Sequence, residues 1–327
     1  MIISSYLPEQ KLDNVELSEL FPEWTPKKIE KKLGVKVRHI AASDETALDM
    51  AVKACEKLFQ SVDRSIIDYV LLCTQSPDYF LPTSACILQD RLGLRTEVGA
   101  LDFNLGCSGF VYGLSLAKGL LAAGIADNVL LVVSETYSKH IHPRDKGNRS
   151  IFGDAASAML VDRSMLPKIH EFALGTDGRG WNNLIIPNSG MRNRPNSPAE
   201  DWTDENGSLR NDDNLYMNGP EIFNFTIDAV PKLVNQVLDK NKMSLDDIGY
   251  VIFHQANQYM LHYLRDIVGI PEEKFYIGMM ETGNTVSATI PLALEKCIQD
   301  GTVKQGDKVL IAGFGVGYSY GATILSI

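Results

Sequence analysis

Cys107 is the residue whose type and position point most directly to chemistry. It lies in residues 101–117 (LDFNLGCSGFVYGLSLA), where an apolar strand pattern passes through a glycine into the cysteine and then into a helix pattern. A cysteine at a helix N-terminus faces unpaired backbone N–H groups and the positive end of the helix dipole, and both favour thiolate over thiol. Taken alone, Cys107 could equally be a small buried residue with only a packing role.

Two further polar residues follow strand patterns of the same kind. His254 comes directly after the apolar residues 250–253, and Asn284 lies in residues 281–288 (ETGNTVSA), where another strand pattern gives way to a helix pattern. Ligands of α/β sheets bind beyond the carboxyl ends of the strands. We therefore expect Cys107, His254 and Asn284 to form one site.

A thiolate is suited to acyl transfer, because it attacks a thioester carbonyl and forms a covalent acyl-enzyme. His254 and Asn284 could direct N–H groups at a second carbonyl oxygen and so stabilise an enolate, which decarboxylation of a malonyl thioester would generate. The glycine-rich residues 313–317 (GFGVG) allow close backbone approach. The backbone N–H groups of Cys107 and Val316 are therefore the predicted oxyanion hole.

An internal duplication indicates which elements position these residues. Residues 67–72 (IDYVLL) resemble residues 248–253 (IGYVIF) at an offset of 181 residues, and Cys107 corresponds to Asn284 at an offset of 177. Each copy alternates strand and helix patterns, with strands apolar enough to be buried on both faces. The chain is therefore predicted to be an α/β protein built from two copies of one βαβαβ-type unit.

The division of the chain follows from this duplication. Residues 1–165 would form the half that carries the nucleophilic cysteine, and residues 166–327 the half that carries the histidine and asparagine. Within the first half, an amphipathic helix is predicted over residues 44–60, opened by a capping sequence. Residues 188–214 are rich in Asn, Asp, Ser, Pro and Gly and are predicted to be a loop, either a functional lid or a mobile surface segment.

Composition narrows the class of protein. The 327 residues, 45% hydrophobic and 22% charged, predict a large globular core, and no apolar run reaches the length of a membrane span. The N-terminus lacks the features of a signal peptide, so we expect a cytoplasmic protein. Five widely spaced cysteines without a C-x-x-C pair predict reduced thiols and no metal site. A net charge of −10 disfavours binding to nucleic acid or to anionic membranes.

The ordered set of motifs resembles the β-ketoacyl-acyl-carrier-protein synthase III branch of the thiolase superfamily. The resemblance runs nearly end to end and rests on residues 104–110 (NLGCSGF), 152–156 (FGDAA), 254–257 (HQAN), 283–285 (GNT) and the glycine-rich C-terminus. It implies a thiolase-like fold, in which the two halves pack as a layered αβαβα sandwich. It also implies a transferase with a Cys-His-Asn triad and no tightly bound cofactor.

The resemblance implies a two-step reaction. Cys107 would take an acyl group from an acyl-CoA, after which a malonyl thioester, on acyl carrier protein or on CoA, would enter. His254 and Asn284 would hold the carbonyl of this extender during decarboxylation, and the resulting carbanion would attack the acyl-enzyme. The expected pathway is fatty-acid or specialised acyl or polyketide biosynthesis.

Further site residues are implied only by the resemblance. Asn257 and Lys146 fall where the family contacts CoA, and Phe152 belongs to the substrate-binding set. The family is dimeric, and a residue at the position of Leu81 closes the acyl pocket of the partner. We therefore expect a homodimer.

The chain also departs from the family pattern. Lys28 stands where the family has an adenine-stacking tryptophan, Tyr259 replaces an arginine that helps to dock the acidic carrier protein, and Pro220 replaces an asparagine of the CoA channel. These changes predict a specialised member that uses a generic carrier protein weakly.

Two alternatives remain open at this point. An enzyme of the same fold could move the acyl group from Cys107 to a small acceptor without decarboxylation, which release of carbon dioxide would distinguish. The chain could also be a catalytically silent partner subunit. Retention of Cys107, His254 and Asn284 together argues against the silent subunit.

Overall fold

The structure is a computed structural model that describes residues 1–193, 197–205 and 207–327. Its α-helices are α1 (Asn14–Leu20), α2 (Pro26–Leu33), α3 (Ala47–Leu58), α4 (Ser84–Arg91), α5 (Gly109–Ala122), α6 (Lys146–Arg149), α7 (Gly219–Asn241), α8 (Gln258–Val268) and α9 (Thr289–Gln299). Its strands are β1 (Ile2–Tyr6), β2 (Gln10–Asp13), β3 (Val37–Ile40), β4 (Tyr69–Cys73), β5 (Gly99–Phe103), β6 (Asn128–Glu135), β7 (Ala155–Asp162), β8 (Ala173–Thr176), β9 (Leu184–Ile185), β10 (Trp202–Thr203), β11 (Leu209–Arg210), β12 (Tyr216–Met217), β13 (Tyr250–Phe253), β14 (Lys308–Gly315) and β15 (Ser319–Ser326). None of the helices in these ranges is long and apolar enough to cross a membrane.

Two sheets carry the duplicated unit. The first has the strand order β1-β7-β6-β4-β5 and the second the order β13-β14-β15-β8. In the first, β4 runs parallel to β6, which is antiparallel to β7. In the second, β13 runs parallel to β14, which is antiparallel to β15. The strand series β4, β6, β7, β1 therefore repeats as β13, β14, β15, β8, and the predicted duplication is confirmed. The boundary after residue 165 stays a prediction.

Helices and sheets alternate in layers. Helices α5 and α9 lie between the two sheets, where Leu114 and Leu294 share an apolar cluster with Leu131 of β6 and Ile311 of β14. Helices α3 and α4 cover the outer face of the first sheet, and α7 and α8 cover the outer face of the second. Because each sheet is buried on both faces, its strands need the continuous apolar sequences that they have. The predicted αβαβα sandwich is confirmed.

Local signals set the ends of the elements near the site. Helix α3 begins after Thr46, whose side chain accepts the backbone N–H of Asp49 in a capping box. The predicted helix over residues 44–60 is therefore present but shorter at both ends. Ser244 and Asp247 form the same motif in the turn before β13, as the sequence indicates.

The 188–214 segment is not loop throughout. It contains a short hairpin in which β10 pairs antiparallel with β11. Residues 194–196 and 206 of this segment lie outside the described residues. Arg210 of this segment lies 3.7 Å from the buried carboxylate of Asp145, so an ion pair links the described part to the body of the protein.

Candidate active site

The structure brings five of the predicted site residues to one pocket. Cys107, Phe152, His254, Asn257 and Asn284 all line a cavity of about 140 Å³. Cys107, His254 and Asn284 are each buried. The cavity lies where β13 and the turns before α5 and α9 meet, which is the edge that the strand-end argument indicates.

Cys107 lies one residue before Ser108, which caps the N-terminus of α5. The Ser108 hydroxyl lies 2.7 Å from that of Ser319, so the start of the helix is tied to the second sheet. Gly315 approaches Cys107 so closely that a Cβ there would lie 2.8 Å from Sγ. The close approach expected of the glycine-rich residues 313–317 is therefore present, and it requires glycine at position 315.

The protonation state of Cys107 differs from the expectation based on the helix terminus. Burial raises the pKa of its thiol to about 12, whereas the backbone N–H groups of Val316 and Cys107, both directed at Sγ, lower it by less. A helix N-terminus contributes only about 0.3–1 kcal/mol near a surface, which is less than the cost of burying an anion. The resting group is therefore a neutral thiol. The same two N–H groups are the predicted oxyanion hole.

His254 is held as a neutral ring. Its Nδ1 lies 2.7 Å from the Thr289 hydroxyl oxygen, and that hydroxyl donates to the backbone carbonyl of Val286 at 3.0 Å. The hydroxyl has no second proton, so Nδ1–H of His254 must be the donor to it. Burial lowers the pKa of His254 to about 3, so the ring is neutral at physiological pH. Nε2 is consequently a proton acceptor in this arrangement.

Asn284 presents a hydrogen-bond donor to the pocket, whereas His254 presents an acceptor. Its side-chain oxygen accepts the backbone N–H of Val286 at 2.9 Å, which leaves the Nδ2 hydrogens available to the pocket. Its backbone is bound on both sides, because Asn284 N donates to Ile151 O and its carbonyl accepts from Gly153 N. Val286, a buried β-branched residue, has φ of 57°. Such a conformation is strained and is typical of functional turns.

A larger groove of about 920 Å³ opens beside the pocket. The two cavities share Ile151, Met217 and Gly219 in their walls. The groove is also lined by Glu23, Trp24, Lys28, Lys32, Lys146, Gly147, Asn148, Trp202, Thr203, Asp204, Glu205, Ser208, Arg210, Tyr216, Asn218 and Pro220. The predicted contact residue Lys146 therefore lies in the groove, outside the inner pocket.

Aromatic and cationic side chains lie together in the groove. The Nζ atoms of Lys28 and Lys32 each lie 5.1 Å from the centroid of the Trp24 ring. The Trp24 indole N–H donates to the hydroxyl of Ser150 at 2.9 Å. Trp24 and Lys28 thus share one wall of the groove, and Trp202 of the β10–β11 hairpin supplies a second aromatic side chain to its lining.

Leu81 lies apart from the pocket. Its side chain is 82% exposed, and its neighbours Tyr79 and Phe80 are also exposed. The structure therefore does not bring Leu81 to the active site of its own chain.

Two residues beside the site were not singled out from the sequence. Thr289, at the first position of α9, orients His254. Glu135, at the end of β6, is a fully buried carboxyl near Cys107. A charged residue that continues an apolar strand pattern is a signal that could have revealed Glu135. Nothing in the local sequence marks Thr289.

The fold and the similar proteins together define an acyl-transferring condensing enzyme. Family models match residues 101–178, as 3-oxoacyl-[acyl-carrier-protein] synthase III, and residues 238–327, as the C-terminal part of that enzyme. The chain belongs to the 3-oxoacyl-[acyl-carrier-protein] synthase III family, and the predicted family is confirmed. The members of this family are condensing enzymes, so the chain is a transferase.

Similar proteins agree along the whole chain. Beta-ketoacyl-[acyl-carrier-protein] synthase III 2 of Halalkalibacterium halodurans is 35% identical over 99% of this chain and 94% of its own. A crystal structure of a 3-oxoacyl-(acyl-carrier-protein) synthase III is 47% identical, with a TM-score of 0.97 over 99% of this chain and 98% of its own. The priming β-ketosynthase of the R1128 polyketide pathway is 28% identical, with a TM-score of 0.85 over 99% and 94%.

Proposed function

We propose that this protein catalyses a decarboxylating Claisen condensation of an acyl group with a malonyl thioester. The observation that carries the proposal is the meeting of a thiol, an imidazole and an oriented amide in one buried pocket, at Cys107, His254 and Asn284. Acyl-CoA and a malonyl thioester are the substrates, and fatty-acid biosynthesis is the pathway that the family favours. No tightly bound cofactor takes part in these steps.

The first step loads Cys107. Its thiol attacks the acyl-CoA carbonyl while the thiol proton passes to Nε2 of His254, which is the free acceptor of the ring. The backbone N–H groups at Cys107 and Val316 stabilise the oxyanion. Collapse of this intermediate breaks the carbon–sulfur bond to CoA, and the CoA thiolate takes the proton from His254. The products are acyl-Cys107 and free CoA.

The second step forms the carbon–carbon bond. Nδ2 of Asn284 donates to the thioester carbonyl of the malonyl group. His254 donates from Nε2 in its other neutral tautomer, in which the Thr289 hydroxyl turns to donate to Nδ1. The carboxylate leaves as carbon dioxide, and its bonding electrons form the enolate. The enolate carbon attacks acyl-Cys107, and the expelled thiolate takes one proton from solvent to restore the thiol. The product is a β-ketoacyl thioester.

The larger groove suits the CoA part of the substrate. Lys28 and Lys32 supply positive charge for phosphate groups, and Trp24 and Trp202 supply aromatic side chains. Lys146 is paired with Glu23 at 2.8 Å and would reach a phosphate only by leaving that carboxylate. The pantetheine arm would reach Cys107 by passing Ile151, Met217 and Gly219, which line both the groove and the inner pocket. We therefore keep Asn257 and Phe152 as substrate contacts, since both line that pocket.

A homodimer completes the proposed site. Strand β5 is one of the two edge strands of the first sheet, and the side chain of Leu101 in that strand is 44% exposed. Exposed edges of this kind pair with another strand. Pairing of β5 with the same strand of a second copy would cover this edge, and we propose that Leu81 then reaches the partner's acyl pocket. The cytoplasmic location expected from the sequence remains a prediction.

The exposed side of α8 is relevant to whether the malonyl group is delivered by a carrier protein or by CoA. Tyr259 is 64% exposed and stacks on Phe223 at 5.8 Å between ring centroids. Arg265 of the same helix is engaged with Asp266 at 2.8 Å and Glu272 at 3.5 Å. We propose that a generic acidic carrier binds weakly here, since neither residue offers it an unpaired positive charge. A dedicated carrier or CoA would serve better.

The reaction is tested with acyl-CoA and malonyl thioesters labelled at the free carboxyl. Release of labelled carbon dioxide together with a β-ketoacyl product is expected. Acyl transfer to a small acceptor without carbon dioxide would favour the acyltransferase alternative, and absence of any acyl adduct would favour the silent subunit. A strong preference for malonyl groups on a generic carrier over malonyl-CoA, unchanged between low and moderate salt, would contradict the docking proposal.

A further inference from the structure

Glu135 is a buried carboxyl that the proposed mechanism does not use. It is the last residue of β6 and is fully buried. Its oxygens accept the backbone N–H of Gln75 at 3.0 and 3.1 Å, the hydroxyl of Ser76 at 3.0 Å and the hydroxyl of Ser287 at 3.4 Å. A buried carboxyl with this many donors is held in one position.

One set of these contacts leads to the Cys107 loop, which is residues 104–108 between β5 and α5. Gln75, fixed by Glu135 through its backbone, donates from its side chain to Asn104 at 3.0 Å. Its side-chain oxygen accepts the hydroxyl of Tyr137 and lies so near Gly106 that a Cβ there would be 2.6 Å away. Asn104 and Gly106 lie within the three residues before Cys107. Glu135 therefore fixes Gln75, and Gln75 in turn contacts the residues that position Cys107.

The other contact leads to the Asn284 loop, which is residues 283–288 before α9. Ser287 lies in the 3₁₀ turn Val286–Ala288, between Asn284 and the Thr289 hydroxyl that orients His254. This turn contains the strained Val286, so it needs neighbours that hold it. The hydrogen bond from Ser287 to Glu135 ties the turn to the first sheet.

The charge of Glu135 also acts on Cys107. Burial raises the pKa of Glu135 to about 8, and the groups that face it are Cys73 of β4, Cys107, Tyr137 and Asp154, with His140 reached through Ser76. Above that pH, ionised Glu135 opposes formation of the Cys107 thiolate. Below it, neutral Glu135 does not.

We propose that Glu135 is a positioning residue that holds the Cys107 loop and the Asn284 loop in a single arrangement, so that acyl-Cys107 and the extender enolate meet. Its contribution is strongest in the condensation step, which needs both loops, and weakest in reactions of the thiol alone. The condensation readout rests on the proposed function, whereas the thiol readout does not.

The test compares Glu135→Gln with Glu97→Gln, a control at an exposed position. Two rates are measured on each protein, malonyl decarboxylation by the acylated enzyme and alkylation of Cys107 by iodoacetamide from pH 6 to 10. We expect Glu135→Gln to lower decarboxylation by roughly 10- to 100-fold, as a misplaced reacting group does. Alkylation should match wild type below about pH 7 and exceed it above about pH 8, because the opposing charge is gone.

Ser287→Ala isolates the link to the second loop and serves if Glu135→Gln fails to fold. It should lower decarboxylation about fivefold, as loss of one hydrogen bond does, and leave alkylation unchanged at every pH. Equal losses of decarboxylation and alkylation in Glu135→Gln, or unchanged decarboxylation in either variant, would overturn the proposal. Absence of decarboxylation in the wild-type enzyme would instead count against the proposed function, and the alkylation profiles would still report on Glu135.

Discussion

Cys107 and Asn284 occupy corresponding turns of the two halves, but the halves build these turns differently. In the first, α5 begins at Gly109, directly after the Ser108 cap. In the second, the 3₁₀ turn Val286–Ala288 separates Asn284 from α9, and Val286 is strained. A nucleophile needs only to sit at a helix start beside backbone N–H groups, whereas an amide must also be turned so that its nitrogen faces the pocket. The added turn does this by supplying the N–H of Val286 to the amide oxygen.

The halves differ again at the sheet edge. Strand β5 pairs with β4 along five residues in the first half. The corresponding segment of the second half makes, within the described residues, a single parallel bridge between Val251 and Phe275. Only the first sheet therefore ends in a regular exposed strand on that side. The proposed division of roles follows this difference: the nucleophile and self-association are assigned to the first half, and orientation of the extender to the second.

Removal of the nucleophile has the largest expected effect. Cys107→Ala should lose the acyl adduct completely after exposure to acyl-CoA, as measured by intact-protein mass spectrometry. Cys86→Ala is the control, because Cys86 is exposed whereas Cys55, Cys73 and Cys297 are buried. A Cys107→Ala protein that still gains the acyl mass at the wild-type rate would show that the first half does not supply the nucleophile.

Removal of the oriented amide tests the role of the second half. Asn284→Ala should lower decarboxylation by about 10²–10³-fold, the usual cost of losing one donor to a developing negative charge. Self-acylation should change by only a few fold, because Asn284 takes no part in that step. Single-turnover acylation and carbon dioxide release measure the two steps separately, and equal losses would contradict the division of roles.

His254→Ala should slow both acylation and decarboxylation, unlike Asn284→Ala, because His254 takes part in both steps. Decarboxylation should fall by about 10²–10³-fold, and acylation should fall as well, since the acceptor for the Cys107 proton is lost. The ratio of the two losses, set against that of Asn284→Ala, is the measurement. Normal decarboxylation with poor acylation would restrict His254 to activation of Cys107.

Thr289→Val should have a smaller effect of the same kind. The substitution removes the hydroxyl that accepts Nδ1–H of His254 while keeping the shape of the side chain. Loss of one hydrogen bond of about 1 kcal/mol predicts a roughly fivefold loss in both steps. Thr289→Ser is the matched control and should retain both rates. If Thr289→Val kept full activity, orientation of His254 by Thr289 would be ruled out.

Truncation at the sheet edge should have the smallest effect on the two reaction rates and should act on self-association instead. Leu101→Ala removes about 0.5–1 kcal/mol of apolar burial from each copy at the proposed contact, about 1–2 kcal/mol for the pair, and should weaken self-association about tenfold, measured by sedimentation. Leu174→Ala is the control, because Leu174 is 42% exposed on β8, an edge strand of the second sheet. Equal effects of the two substitutions would contradict a dimer built through β5.

The agreement between sequence and structure depends on how local each feature is. The helix over residues 44–60 was recognisable because its periodicity and the capping sequence at residues 43–46 are local, although it begins later, after Thr46, and ends earlier, at Leu58. The hairpin β10–β11 was not recognisable, because each of its strands has only two residues, too few for a strand pattern. The expected thiolate at Cys107 likewise came from a local argument, and burial by distant residues reverses it.

By itself, the sequence determined the α/β duplication, the family and the identity of the three polar residues at the strand ends. Each depends on residue types and spacings that hold in any environment, such as glycine before a cysteine at a helix start. The tertiary structure alone decided that Thr289 orients His254, that Val286 orients Asn284 and that Glu135 connects the two loops. Protonation states and donor directions depend on which atoms surround a group in space, and those atoms come from segments up to 211 residues away in the sequence.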